Sequence, residues 1–324
     1  LLSAIYILGN PNLIAGLYGF RNYAFGFLFY IAAISISYNE DERYSFLQTV
    51  FNFLTIICVW GIIQAKLLGP RYIMNYAHFG KEVLPFNFYI SYFWGIQRVT
   101  GVFSDPNAFA IMANFAALFY SNQIFILNVK KPITYFKLAL VLISIVLSFS
   151  RSAWIGLLVG YFVLFVYYLF GMKMVDKLSK KRVVFVIIAI IIALPILFSV
   201  FLKVTNIKAL EMVQKHIINT LTLKDPSVVG HIKSLKSSFL FFLGHPLGMG
   251  TGMSGPKTAL FTSNIMNSES SYFIIAFDLG IIGIALYFAL IISIIKNLFA
   301  NLKKGTQKQK AFTIFLLAVS LNVW

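Results

Sequence analysis

The stretch TYFKLALVLISIVLSFSRSAWIGLLVGYFVLFVYYLF, residues 134–170, decides what kind of protein this is. It holds two apolar runs, 134–150 and 152–170, that meet at Ser150-Arg151-Ser152. Helices of that length cross most of a hydrocarbon layer ~30 Å thick. The junction leaves almost no loop, so the pair predicts a tight transmembrane hairpin with Arg151 as the only charge at its tip. Gly156, Gly160 and Tyr161 in the second run suit close contact between helices.

The same pattern recurs in both directions. Further runs of spanning length fall at 22–38, 45–68, 108–127, 182–202 and 272–299, with partial spans at 1–8 and 311–324. The expected fold is therefore all-α: one integral membrane domain over 1–324, a polytopic bundle of seven full spans and two fragments. Both ends are expected to be cut from a longer protein, because Leu1–Leu8 reads as a helix already under way and Trp324 stands inside an apolar run. Composition agrees. The chain is 59% hydrophobic and 11% charged, where soluble domains are about a quarter charged, and its mean hydropathy is +0.83. The net charge of +17 does not imply nucleic acid, since the cations are scattered between apolar spans and form no soluble basic face. The single cysteine, Cys58, lies inside an apolar run and excludes disulfides and cysteine metal sites.

The short basic loops orient the bundle. Lys130, Lys131 and Lys137 form one cluster. Lys173, Lys177, Lys180, Lys181 and Arg182 form a second, and Lys296, Lys303, Lys304, Lys308 and Lys310 a third. They alternate correctly with the spans and are assigned to the cytoplasm, together with 39–44. The other side then carries 9–21, a first loop at 69–107, the Arg151 turn and a large loop at 203–271. Apolar residues at helical spacing, such as Ile217, Ile218 and Leu221 or Leu235, Phe239 and Leu240, predict short amphipathic helices within the large loop. The spans themselves read as nearly free of charge, which puts the polar chemistry at the outer surface.

Four outer clusters are candidates. Gln97 to Asn107 precedes a span, with Gly101 and Pro106 marking a turn; Asp105 or Asn107 reads equally as a helix cap, whereas capping does not explain Arg98. Arg151 is either a headgroup anchor or an anion ligand. Gly230-His231-Ile232-Lys233-Ser234 leads into the glycine-rich Gly244–Gly252, read as a flexible loop that lacks the signature of a phosphate-binding loop; His245 beside Pro246 reads as structural. Asn267-Ser268-Glu269-Ser270-Ser271 opens the 272–299 run, where Glu269 is either a capping carboxylate or a base.

In order, these segments resemble the O-antigen polymerase and O-antigen ligase superfamily. The resemblance rests on Gly16-Leu17-Tyr18-Gly19-Phe20-Arg21-Asn22-Tyr23, on Ile62-Ile63-Gln64 with Gly69-Pro70, and on Arg98 to Asn107 as R-x-x-G-x-F-x-x-P-N. Ser148–Trp154 matches the serine–arginine hairpin, and His245 to Gly252 the P-L-G-x-G loop. The ligases' histidine, Asn/Ser/Gln, nine residues and G-x-x-G is met by Ser270, 271–279 and Gly280-Ile281-Ile282-Gly283, but Glu269 stands where the histidine would be. That substitution makes the resemblance polymerase-like rather than ligase-like.

The resemblance implies a GT-C-like glycosyltransferase of the bacterial cytoplasmic membrane. It would polymerise polyprenyl-diphosphate-linked oligosaccharide repeat units into O-antigen, capsular or exopolysaccharide at the outer leaflet. Arg98 and Arg151 would hold the diphosphate, and Glu269 would take the proton of the acceptor hydroxyl, with inversion at the anomeric carbon. Arg71, Asp105, Asn107, His231 and Ser270 would contact substrate. No cofactor and no metal are expected, since Glu82 and Asp105 are isolated. The implied partners are the lipid-linked oligosaccharide, the growing glycan, the bilayer, and chain-length regulator and flippase proteins, with no nucleic acid. The rivals are ligase-type transfer, a peptidoglycan glycosyltransferase of the shape and division family, and a flippase or transporter. The last would show intramembrane charges or broken helices, which the spans are expected to lack.

Overall fold

The structure is a computed structural model that describes residues 7–8, 12–35, 39–68, 92–93, 96–103, 105–168, 226–254 and 270–323. The 182–202 span, most of both outer loops, Arg71 and Glu269 lie outside the described residues.

Among the described residues there are eight α-helices. They are α1 (Leu13–Ser35), α2 (Glu40–Ile63, continued by a π-turn Gln64–Leu68), α3 (Pro106–Phe125), α4 (Pro132–Leu147), α5 (Arg151–Val166), α6 (Pro226–Gly244), α7 (Ser271–Lys304) and α8 (Gln307–Val323). A short antiparallel pair, β1 (Tyr92–Phe93) and β2 (Ile96–Gln97), is the one sheet among them. Among the described residues three segments are long and apolar enough to cross a membrane, Glu40–Leu68, Pro106–Phe125 and Ser271–Lys304, while α4 and α5 are shorter apolar helices. Helix α1 begins well before the predicted span. Asn12 accepts the Ile14 and Ala15 amides at 3.0 and 3.2 Å, so residues 13–21, expected as loop, are the first turns of a helix capped by a side chain.

The chain forms two compact units: Leu1–Ser37 with Leu210–Ile294, and Tyr38–Ala209 with Ile295–Trp324. In the second, α3 is the central helix. Ala110, Ala113, Ala116 and Ala117 are fully buried, which lets neighbouring backbones approach without relying on a hydrophobic force that lipid would cancel. The predicted close contact at Gly160 is present: a Cβ there would stand 2.7 Å from Leu118 Cδ1. Phe119 is ringed by Phe51, Tyr120 and Phe315 at centroid distances of 4.6, 5.8 and 5.6 Å. Several polar groups in this core are paired with one another or with backbone, which lowers their cost where water is absent. Asn52 Oδ1 accepts from Gln48, Tyr120 and Lys137, and Asn122 Nδ2 donates to the Ala311 carbonyl at 2.9 Å.

One end of this unit brings together two of the segments assigned to the cytoplasm, 39–44 and 300–310. Asn39 and Glu42 form a reciprocal cap at the start of α2. Lys308 bridges Asp41 at 2.6 Å, Thr306 and Gln309 donate to Glu40, and Gln307 donates to the Ile126 carbonyl. The acidic 39–44 turn, silent under the charge rule, is thus on the same end as the basic 300–310 segment.

Candidate functional site

At the opposite end of the second unit, Arg98 is held by two helix termini. Its Nε donates to the Ser148 carbonyl at 2.6 Å and its Nη2 to Asn107 Oδ1 at 3.1 Å. The segment bearing it is fixed by the Val99 amide, which donates to the Leu147 carbonyl at 3.1 Å. Asp105 caps α3, accepting from the Asn107 and Ala108 amides at 2.7 and 3.3 Å, with Pro106 in the first turn where its missing N–H costs nothing. The hairpin is as tight as its sequence implies. Phe149 takes a left-handed φ of 51°, Ser150 caps α5 through the Ala153 amide, and Arg151 is the first helical residue. Arg98, Asp105, Asn107, Ser148 and Arg151 therefore share one rim, where α4 ends and α3 and α5 begin. Both starting helices direct their partial positive ends there, and with two guanidinium groups the rim suits an anion. Asp105 serves here as a cap, and Asn107 as the brace that orients Arg98.

The first unit holds a feature that was not expected. Asp278 lies within the predicted 272–299 span, is 3% exposed, and is fully engaged. Oδ1 accepts from Ser254 Oγ at 2.8 Å, and Oδ2 accepts from Tyr23 OH at 3.0 Å and from the Gly252 amide at 3.2 Å. Helix α7 is also broken at Gly280, where φ is 66° and ψ −164°. The expectation of charge-free, unbroken spans is corrected on both counts. The break is tolerable because other backbone fills it. The Ile281 amide donates to the Pro246 carbonyl at 2.8 Å, and the Met249 amide to the Phe277 carbonyl at 2.7 Å.

The glycine-rich run is accordingly not a flexible loop. Gly248 seats on Gly280 so closely that a Cβ would meet Gly280 N at 2.5 Å, and Gly252 meets the Ala15 carbonyl and Gly19 of α1 in the same way. Thr251 Oγ1 donates to the Gly16 carbonyl at 2.9 Å. The P-L-G-x-G loop and the G-x-x-G motif are two halves of one clasp, and Asp278 is its polar pin. A signal for it existed: a lone acid two residues before a glycine inside an apolar run is costly and is kept for a reason.

Of the remaining candidates, Ser270 directly precedes α7 and its carbonyl accepts the Ile274 amide at 3.0 Å. His231 lies within α6 rather than in a loop. His245 stacks on Phe241 at 4.4 Å, in keeping with its structural reading. Arg71 and Glu269 fall outside the described residues. Among the described residues no group of three or more His, Cys, Asp or Glu could hold a metal ion.

No curated protein and no solved structure matches the chain. A family model does: the one described as O-antigen ligase covers residues 136–288, from α4 through the serine–arginine hairpin and the clasp to the middle of α7. Over these residues, just under half of the chain, the protein is similar to the O-antigen ligase family, and together with its apolar helices the match points to an integral membrane protein.

Proposed function

We propose that this protein is a polysaccharide polymerase of the cytoplasmic membrane that joins polyprenyl-diphosphate-linked repeat units at the outer leaflet, within a GT-C-like bundle of seven or more spans. The acceptor hydroxyl oxygen attacks the anomeric carbon of the donor and forms the new glycosidic bond. The bond from that carbon to the diphosphate breaks, and polyprenyl diphosphate leaves with its electron pair. Glu269 takes the hydroxyl proton, and single displacement inverts the anomeric centre. Arg98 and Arg151 hold the diphosphate as negative charge grows on it, by hydrogen bonds worth about 1.5–3 kcal/mol each. Arg71, Asn107, His231 and Ser270 belong to the substrate surface. The reaction is metal-independent in this reading.

The observation that carries the proposal is the bracing of Arg98 between the Ser148 carbonyl at the end of α4 and Asn107 at the start of α3. A guanidinium fixed on its Nε side in this way is preorganised to grip phosphate rather than free to follow solvent. The family match, whose model is described as O-antigen ligase, favours a second reading in which the same rim transfers a finished glycan to an acceptor lipid. The flippase reading gains little from Asp278 and the broken α7. In transporters such groups face the cargo, whereas here Tyr23, Gly252 and Ser254 occupy the carboxylate and residues 246–249 occupy the break.

The test uses the purified protein with a polyprenyl-diphosphate-linked repeat unit, scored on a gel. Polymer is expected from wild type and none from Glu269→Gln, with the variant still inserted and folded. Normal polymer from Glu269→Gln removes the base, and glycan appearing only on lipid A core establishes the ligase instead.

A further inference from the structure

Beside the arginine rim, the structure holds buried amide groups that no protein atom among the described residues satisfies. Gln97 is 6% exposed, and neither Nε2 nor Oε1 has a hydrogen-bond partner. Gln64 Oε1 is buried and unpartnered in the same sense. The two side chains belong to segments that are locked together. Lys66 Nζ donates to the Gln97 carbonyl at 3.4 Å. Gly61 packs so closely on the 99–101 segment that a Cβ would lie 2.7 Å from Val99 Cγ1 and 3.0 Å from the Gly101 amide. Gly61, Gln64 and Ala65 share a helix face by their spacing, so Gln64 stands on the face of α2 that meets this segment. At Gln64 the helix also widens into the π-turn Gln64–Leu68, a departure that recurs at functional positions. Arg98 is the next residue along.

A buried amide with no partner is destabilising, and leucine of similar size would serve the core better. The unmet groups define what could satisfy them. Two oxygens need donors and one nitrogen needs an acceptor, with the Lys66 ammonium close by. A phosphate near neutral pH brings acceptors only and would leave both oxygens unmet. Sugar hydroxyl and acetamido groups bring donors and acceptors together. We propose that Gln97 and Gln64 form a saccharide subsite, taking hydroxyl or acetamido groups of the sugar that adjoins the diphosphate. This inference rests on the diphosphate reading of Arg98 and Arg151 and extends it to the glycan.

The experiment compares two probes on the full purified chain in nanodiscs: undecaprenyl diphosphate, and undecaprenyl diphosphate bearing N-acetylglucosamine, which carries both group types. Wild type should bind the glycosylated lipid more tightly. Gln97→Leu should lose about tenfold in affinity for the glycosylated lipid, equivalent to ~1.4 kcal/mol, and none for the bare diphosphate. The ligand-free melting temperature of Gln97→Leu should hold or rise, because an orphaned amide has been replaced by an apolar group. Gln64→Leu, on a different element, should give the same selective loss. Equal binding of both lipids by wild type, or an unchanged preference in both variants, overturns the subsite and marks these amides as water-satisfied core. Equal loss of both lipids also overturns it, as a general distortion. Arg98→Ala separates the underlying reading: it should weaken both lipids, and unaltered binding of the bare diphosphate removes the anion site and the subsite with it.

Discussion

Replacing Gly280 by alanine tests the clasp directly. At φ 66° and ψ −164° its backbone lies in a region that is essentially reserved for glycine. A Cβ there would stand 2.4 Å from the Leu247 carbonyl carbon, 2.5 Å from its oxygen and 2.8 Å from Gly248 N. These are backbone atoms, which cannot swing aside as a side chain would. Two costs follow. Forcing alanine into this conformation takes ~1–3 kcal/mol. Separating α7 from the loop strips the Ile281–Pro246 and Met249–Phe277 hydrogen bonds, each worth about 0.5–1.5 kcal/mol net. The total of roughly 2–6 kcal/mol corresponds to a melting temperature lowered by about 5–20 °C. The assay is thermal survival of the detergent-solubilised protein, read by size-exclusion chromatography. Gly230→Ala is the internal control, since a Cβ at Gly230 meets nothing within 4 Å in α6, and it should be neutral or stabilising by up to ~1 kcal/mol. If Gly280→Ala melts with wild type, the broken helix and its seat on Gly248 are wrong.

Four further outcomes follow from the contacts. Asp278→Asn turns an acceptor into a donor facing the Gly252 amide or Tyr23 OH, and should lower stability by about 2–4 kcal/mol in the same melt. Tyr23→Phe should cost ~1 kcal/mol, and the double variant should fall short of the sum because the two side chains share one bond. Gly160→Ala should destabilise by about 1–3 kcal/mol, since its Cβ meets Leu118 at 2.7 Å, and Leu118→Ala should suppress part of that loss. Arg98→Lys should slow polymer formation about 10- to 100-fold, the kinetic equivalent of one charged hydrogen bond; wild-type rates would take Arg98 out of the site.

Much was legible before any coordinates. The apolar runs announced the membrane because bilayer thickness prescribes helix length whatever the neighbours are. The cap at Asp105 and the hairpin at Ser150-Arg151 could be read because capping is local, settled within a few residues. Arg98 stood out because nothing local accounts for it, and its braces at Asn107 and Ser148 supply the account. Asp278 was passed over because one acid barely changes the mean of a long apolar run. Its partner Tyr23 lies 255 positions away, so no window of sequence contains the pair. The glycines at 248 and 252 look like a flexible loop in the sequence for a related reason. Glycine in isolation signals freedom, but packed backbone against backbone it signals contact.

By itself, then, the sequence determined that the chain is built from apolar membrane helices, where several of them lie, the capped start at Asp105 and the tight hairpin at Arg151. These follow from short-range geometry and from the solvent the chain must live in. Only the tertiary structure decided that α7 is broken, that the glycine-rich run is its clasp, that Asp278 is pinned by Tyr23, and that the Gln97 amide and Gln64 Oε1 are buried without a partner among the described residues. Each of these depends on which distant backbone comes close enough to fill a gap or to meet a hydrogen bond, and that is a property of packing alone.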